Sequence, residues 1–500
     1  MYSKSMKSLV LATELAKLDE HAQSIANIPP LCLMESAGLL IYQNWKPYLA
    51  KDDRLVFLCG GGNNGGDALV VSRYAFQDGF TNQLLIFIGK RISDSSAIHR
   101  SVANAYGLPI LKAEETELSV LASELAQAAW IIDGLMGIGL KGSLGGLTAS
   151  LVDAANRSKA RTLSIDVPSG LGDEIACTET MIHADVTVTM GSLKRSMFHP
   201  ATRSACGTIV CVNPSFPPFL LERVPQAAQL CDRKAFLPKL DSSEYKNSRA
   251  HVGIFGGSTS YTGAVRLSAK ACFATRAGLV SLYCDPEVFN LAATSSPSVM
   301  VKVYEGQPIP AFGALLVGPG WGPGREDLLT TLFATGQSMV LDADGLRAYA
   351  SLLAQGLRPQ HGPLILTPHL GELKTLLDGF YGAKQDTQSP DSFFASIQDL
   401  AKQLGVTLVV KSSLVHIVDE KGRVVVIEGN NPSLGVAGSG DVLCGVIAAL
   451  LAKYQDCWFA ALEGSLIHQE AGRLAKSAYG YYDSEALLAI LGKAVQEAEH

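Results

Sequence analysis

Short apolar runs recur along this chain at the spacing of buried strands, with helical patterns between them. In the first half they fall at 55–58, 83–88, 130–132, 162–165 and 186–189. The rhythm restarts at 251–255 and recurs at 278–283, 314–317, 339–341, 364–366 and 406–410. Continuous apolar runs that alternate with helices predict parallel sheets with crossover helices, right-handed by default. Ahead of the first run, residues 9–41 read as one or two amphipathic helices broken by Pro29 and Pro30. Helices after Asp441 close the chain.

Between the two rhythms, residues 213–225 carry Pro214, Pro217, Pro218 and Pro225, a stretch that sustains neither a helix nor a central strand. A boundary there gives an α/β protein of two domains, 1–220 and 227–500. The length of 500 residues agrees, because one core rarely serves so long a chain. No short repeat or low-complexity tract is present. With 47% hydrophobic and 18% charged residues the chain reads as a packed globular enzyme. Its formal charge of -6, without a basic run, argues against a nucleic-acid partner. Ten cysteines without a Cys-x-x-Cys pair or paired histidines suit reduced thiols in the cytoplasm. Residues 1–12 lack the apolar stretch of a signal peptide, and no later run approaches the roughly 18 apolar residues of a membrane span, so no membrane partner is expected.

The candidate chemistry sits where the apolar runs end. In the loop 59–67, Cys-Gly-Gly-Gly-Asn-Asn-Gly-Gly-Asp, glycines permit a tight turn and close approach to a ligand, and the helix that follows aims N–H groups at an anion. Asp133 and Asp166 end two further runs, at the face where open α/β sheets bind ligands. Each alone reads equally well as a cap or a solvated turn residue. Together with Asn64 they offer hard oxygen donors suited to a cation and a polar nucleotide.

In the second half, Ala437-Gly-Ser-Gly-Asp441 feeds an apolar helix, so its N–H groups can line an anion hole and Asp441 can deprotonate a hydroxyl. A helix cap explains Asp441 equally well in isolation. Four other segments end predicted strands upstream: 256–264, 318–322, Leu341-Asp-Ala-Asp-Gly-Leu346 and Thr367-Pro-His-Leu-Gly-Glu372. A fifth, Leu408-Val-Val-Lys411, ends the last of them.

These residues carry two resemblances. Leu33-Met-Glu-Ser-Ala-Gly38, the Asn-Asn-Gly-Gly-Asp loop, Asp133-Gly-Leu-Met-Gly and Ser164-Ile-Asp-Val-Pro-Ser-Gly170 resemble the NAD(P)H-hydrate epimerase domain over about 9–218. That implies a Rossmann-like three-layer α/β/α fold and a K⁺ ion held by Asn64, Asp133 and Ser169. It also implies a nicotinamide-hydrate nucleotide bound by Asn63, Asn64, Gly65, Gly66 and Asp67, by Gly137, Ile138, Gly139, Leu140, Lys141, Gly142 and Ser143, and by Asp166. Asp166 is the candidate for proton transfer, since inversion at a hydroxylated ring carbon beside an enamine needs a positioned acid or base. The chain departs from the family at Ala68 for Gly, Ile138 for Thr and Ser36 for Asn.

Thr-Pro-His-x-Gly-Glu followed by Gly-Ser-Gly-Asp resembles the ribokinase-like ADP-dependent NAD(P)H-hydrate dehydratases over about 231–491. That implies contacts to the hydrated nucleotide from Ala264, Gly320, Gly322, His369 and Asp441. Lys411, Ser412, Ser413, Leu414, Val415 and Gly440 are then expected on the adenine nucleotide. Asp441 is the implied base for phosphoryl transfer from ADP, with Mg²⁺ neutralising the donor's charge. Here the departures are Lys246-Asn-Ser-Arg-Ala250 for Lys-Gly-x-x-Gly, and Ser412 for a glycine. The expected substrates are the hydrates of NADH and NADPH, with a homo-oligomer left open. The alternative is a ribokinase-like kinase of hydroxymethylpyrimidine type with a non-catalytic first module.

Overall fold

The computed structural model describes residues 6–89 and 91–500, so the expectation for residues 1–12 falls partly outside the described residues. Two compact units emerge: Lys7–Gln229 together with Asp386–Phe394, and Leu230–Gln385 together with Ala395–His500. Among the described residues no helix is long and apolar enough to cross a membrane.

The first unit begins with β1 (Met6–Val10), α1 (Ala12–Ser24) and α2 (Pro30–Trp45). Leu9 and Val10, expected in a helix, are strand residues instead: Leu9 pairs in parallel with Leu193 of the two-residue β8 (Leu193–Lys194). Pro30 opens α2, where its fixed φ suits a first helical residue and its missing N–H costs nothing. There follow β2 (Leu55–Cys59), α3 (Asn63–Gln77), β3 (Gln83–Phe87), α4 (Asp94–Ala105), β4 (Ile110–Lys112) and α5 (Leu118–Ala126). Next come β5 (Trp130–Gly134), α6 (Gly146–Arg157), β6 (Arg161–Ile165), β7 (Val186–Met190), β9 (Thr208–Val212) and α7 (Pro218–Leu221).

Seven of these strands form one sheet in the order β4-β3-β2-β5-β6-β7-β9, parallel at every pairing. Its strands are apolar on both faces because both faces are covered. Leu55, Phe57 and Cys59 of β2 join Trp45, Leu69 and Trp130 in one core, while Val56 and Leu58 join Leu121, Leu125 and Leu151 in another. The period-2 alternation thus sorts one strand into two layers, giving the three-layer α/β/α fold. Each such fully buried Leu or Phe contributes about 1.5–3 kcal/mol by leaving water.

After β10 (Ala228–Cys231), the second unit runs β11 (His251–Phe255), α8 (Thr262–Ala274), β12 (Leu279–Cys284), α9 (Pro286–Ser295), β13 (Met300–Val303), β14 (Ala314–Val317), α10 (Glu326–Phe333), β15 (Met339–Leu341) and α11 (Asp344–Ala354). It continues through β16 (Leu364–Leu366), α12 (Leu370–Tyr381), α13 (Pro390–Leu404, whose first five residues belong to the first unit), β17 (Thr407–Lys411), β18 (Leu414–Val418) and β19 (Val424–Glu428). It ends in α14 (Ser439–Tyr454), α15 (Cys457–Tyr479) and α16 (Ser484–Glu497). The strand order β13-β12-β11-β14-β15-β16-β17-β18-β19 is parallel up to β17. Beyond β17 the parallel expectation fails, because β18 and β19 pair antiparallel. A two-residue connection at Ser412 and Ser413 is too short for a parallel crossover and folds the chain back as a hairpin. α14 is buried along most of its length and packs with α8 and α15.

Candidate active sites

In the first unit the carboxyl ends of β2, β5, β6 and β7 open onto a cavity of about 500 Å³. Gly62, Asn63, Asn64 and Asp67 line it where α3 begins, so the positive end of that helix faces the cavity. Gly137, Ile138, Gly139 and Leu140 line it from the loop after β5, whereas Lys141, Gly142 and Ser143 stand outside the lining. Gly65 and Gly66 serve the turn instead. A Cβ on Gly65 would lie 1.9 Å from the Gly60 carbonyl oxygen, and one on Gly66 would meet Ser96 Oγ at 2.4 Å. Ala68, which replaces a glycine of the family pattern, is wholly buried, and Gly134 opposite it lacks the Cβ that would approach it to 2.7 Å.

Asp166 lines the cavity at the end of β6, held at φ 67°, a left-handed backbone that L side chains rarely adopt. Three donors converge on one of its oxygens, Oδ1: the Lys194 ammonium, Thr189 Oγ1 at 3.3 Å and the Met190 N–H at 3.2 Å. Lys194 is 1% exposed and also donates to Thr189 Oγ1 and the Met190 carbonyl, at 2.6 and 3.0 Å. Two further acids share the cavity. Burial, with the charges of Asp166 and Asp19, pushes the Asp67 carboxyl well above its usual range. Asp19, on α1, is pushed up to about 6 by burial and by Asp166, against the opposing pull of Lys194.

Asp133 forms a separate knot below the cavity. It has no exposed surface, and its four donors are all neutral: Ser164 Oγ at 2.8 Å, Ser169 N at 2.9 Å, Ser169 Oγ at 2.5 Å and Leu135 N at 3.3 Å. Burial raises it against those hydrogen bonds. Ser169 Oγ also lies 3.0 Å from the Met136 carbonyl. Asn64 Nδ2 is buried without a hydrogen-bond partner among the described residues. A buried carboxylate answered only by neutral donors, beside hydroxyl, amide and carbonyl oxygens, is a donor set that fits a monovalent cation.

In the second unit a comparable cluster forms at the ends of β15, β16 and β17. Lys411 Nζ donates to Asp342 Oδ1 at 2.5 Å, and Thr367 Oγ1 donates to the same oxygen at 2.9 Å. Burial lowers the Lys411 ammonium, but Asp342 and Glu372 outweigh it and hold it raised. Asp441, in the first turn of α14, is pushed up to about 7 by burial and the Asp342 charge, against Lys411. A Cβ on Gly440 would sit 3.4 Å from Lys411 Nζ, so the Gly-Ser-Gly-Asp loop passes directly over the ammonium. Asp342, Asp441 and Cys444 offer ligand atoms within 4.8 Å of one another.

His369 caps α12: its Nδ1 accepts from the Gly371 and Glu372 N–H groups at 3.0 and 3.2 Å, while Glu372 accepts from the His369 N–H at 2.9 Å. Its side chain is 57% exposed, so the capping role leaves the ring at the surface. A Cβ on Gly320 would lie 3.3 Å from that of Ala264, and Gly322 N donates to Asp344 at 2.8 Å. Ser268 ties this group to the loop, donating at 3.0 Å to both the Ala264 and Asp441 carbonyls.

The remaining nucleotide candidates are placed differently from one another. Ser412 turns inward, donating to the Leu414 carbonyl at 2.6 Å, Ser413 is exposed at the hairpin tip, and Leu414 and Val415 are buried. The sequence reading missed Asp342, Thr367, Lys194 and Asp19. Asp342 and Thr367 lie inside quoted strand-end segments, so the strand-end rule alone points to them.

The two halves match two families: residues 31–196 the YjeF-related protein N-terminus, and residues 252–493 the NAD(P)H-hydrate dehydratases. A bifunctional NAD(P)H-hydrate repair enzyme of Moorella thermoacetica is 30% identical over 93% of this chain and 92% of its own. The chain belongs to the family of bifunctional NAD(P)H-hydrate repair enzymes. Another member, from Coxiella burnetii, is 31% identical over 88% of this chain and 89% of its own. A solved ADP/ATP-dependent NAD(P)H-hydrate dehydratase of Bacillus subtilis covers 54% of this chain and all of its own, at 21% identity and a TM-score of 0.45. In this chain the epimerase half, matched at 31–196, precedes the dehydratase half, matched at 252–493, and each lies in an α/β unit. That both halves match one bifunctional family favours repair over a kinase with an accessory first module.

Proposed function

We propose a division of labour in which the first unit interconverts the R and S hydrates of NADH and NADPH within its cavity, and the second dehydrates the S form with ADP. One arrangement supports this reading: each unit sets a lysine–aspartate ion pair with a buried carboxylate beside a glycine-rich loop at its strand ends. In the first, Asn63, Asn64 and the α3 terminus receive the nucleotide, and Asp166 presents its second oxygen to the ring. Asn64, Asp133 and Ser169 hold K⁺, which supplies the positive charge that the Asp133 knot lacks.

In the second unit Asp441 takes the proton of the ring hydroxyl as that oxygen attacks the β-phosphorus of ADP, releasing AMP. The phosphate then leaves with its C–O electron pair, the neighbouring ring carbon loses a proton, and the dihydropyridine double bond returns. Lys411 and the N–H groups around Gly440 meet the donor phosphates. Mg²⁺, a hard cation that keeps water and phosphate oxygens, suits the free oxygen of Asp342 and not the Cys444 thiol. Its contribution when bound is to neutralise donor charge. Buried thiols and the absence of a basic run support cytoplasmic work on small molecules.

The test is to incubate mixed hydrate epimers with ADP, ATP or neither, and to follow each epimer by chromatography. Without nucleotide only the epimer ratio changes, and with ADP both epimers disappear as NAD(P)H forms. Persistence of both epimers under every condition would overturn the reading.

A further inference from the structure

The Asp166–Lys194 pair leaves another acid in the same cavity without a task. Asp19 projects from α1 into the cavity lining, is only partly buried, and has no hydrogen-bond partner among the described residues. We propose that Asp19 is the proton-carrying residue of the epimerisation and that Lys194 is a positioning residue, fixing Asp166 across the same cavity. The proposal rests on the cavity being the epimerase site.

The geometry separates three carboxyl groups by what surrounds them. Asp166 has one oxygen committed to three donors, so it is anchored and can only offer the other. Asp67 is 5% exposed within the first turns of α3, and burial with the charges of Asp166 and Asp19 raises it so far that it keeps its proton rather than releasing it. Asp19 and Glu20 both line the cavity with free carboxyls in contact with solvent, but Glu20 is exposed, whereas Asp19 is half-buried and feels the charges of both Asp166 and Lys194. Environments that push neighbouring carboxyls apart assign acid and base roles.

The charged groups facing Asp19 are Asp67 from α3, Asp166 after β6, Lys194 from β8 and Glu20 on α1 itself. The packing residues from α2 and α7, Leu33 and Leu220, are apolar. Burial and Asp166 hold Asp19 near 6, where it carries a proton for part of the time at neutral pH and can release it.

Asp19 gives its proton to the ring hydroxyl, the C–O bond breaks with its pair leaving on water, and the ring nitrogen's lone pair closes a C=N⁺ bond. Water then adds to the opposite face of that carbon and returns a proton to the Asp19 carboxylate. Asp166 stays paired with Lys194, so the cavity holds the new carboxylate and the ring cation together, without an unanswered negative charge.

The experiment measures R-to-S conversion in the full chain without nucleotide, across pH, for wild type, Asp19→Asn, Asp19→Glu, Asp166→Asn and Lys194→Arg. ADP-dependent loss of the S form in the same preparations checks that the chain is folded. Asp19→Asn is expected to lose about 100-fold or more in conversion and to flatten the pH profile. Asp19→Glu should restore part of the rate, and Lys194→Arg, which keeps the charge but displaces it, should shift the inflection. Wild-type conversion by Asp19→Asn, with Asp166→Asn inactive, would overturn the proposal and leave the cavity as the epimerase site. Wild-type conversion by both variants would overturn the reading of the cavity itself.

Discussion

Asp166 with Lys194 in the first unit and Asp342 with Lys411 in the second are near copies in chemistry on unrelated strands. Both pairs stand at strand ends, and in both every hydrogen-bond donor falls on a single carboxylate oxygen. Each also has a second acid beside it that is raised toward neutrality, Asp19 to about 6 and Asp441 to about 7. They differ in where that second acid sits. Asp441 belongs to the glycine-rich loop over the lysine, where a base is needed at a phosphate, whereas Asp19 comes from a helix outside the sheet. Under the proposed roles the same pair would accompany a base in one unit and an acid in the other, with the added element deciding which.

The sharpest way to separate the two sites is Asp441→Asn. Dehydration of the S hydrate with ADP should fall by about 10²–10⁴, the usual worth of a general base, while R-to-S conversion is unchanged. A parallel loss of both reactions would break the comparison. Lys411→Met comes next. It removes the charge that opposes the rise of Asp441, so the acid limb of the dehydration profile should move above 7 and the rate at pH 7 should drop. An unmoved limb would detach Lys411 from Asp441.

A smaller effect lies in stability. The Asp19 carboxyl has a folded-state value above its usual 3.8, so its favourable contribution is complete below about 3.8 and is lost as pH rises through about 6. At pH 7.5 Asp19→Asn should raise the unfolding free energy by about 2 kcal/mol, and at pH 3.5 by nothing. Denaturant titration at the two pH values reads the difference, and an equal effect at both would show that Asp19 is not strained by burial. Ala250→Gly completes the series. Ala250 is held at φ 97° where the family pattern has a glycine, and the change should stabilise the chain by about 1 kcal/mol without altering either reaction.

What the sequence made legible follows from locality. The apolar runs predicted the parallel strands because both sheet faces are covered, and the strand-end rule found Asp133 and Asp166 because that rule needs only a strand and its next residue, while Asp441 was legible from the glycine-rich loop that opens an apolar helix. Lys194 was hidden by the brevity of β8, two residues long, and Asp19 by its place on a helix whose approach to the cavity depends on tertiary packing. The β18–β19 hairpin was missed because an apolar strand reads the same whichever way its neighbour runs. Of the departures from the family patterns, Ser412 is absorbed by its own turn and Ala68 by the missing side chain of Gly134, while Ala250 retains a strained backbone.

The most direct test compares pH–rate profiles for the two half-reactions in one wild-type preparation, R-to-S conversion without nucleotide and S-hydrate dehydration with saturating ADP. The account predicts opposite slopes: conversion declines as pH rises through about 6, when Asp19 loses its proton, and dehydration climbs as pH rises through about 7, when Asp441 becomes the base. Two profiles that rise or fall together would contradict it.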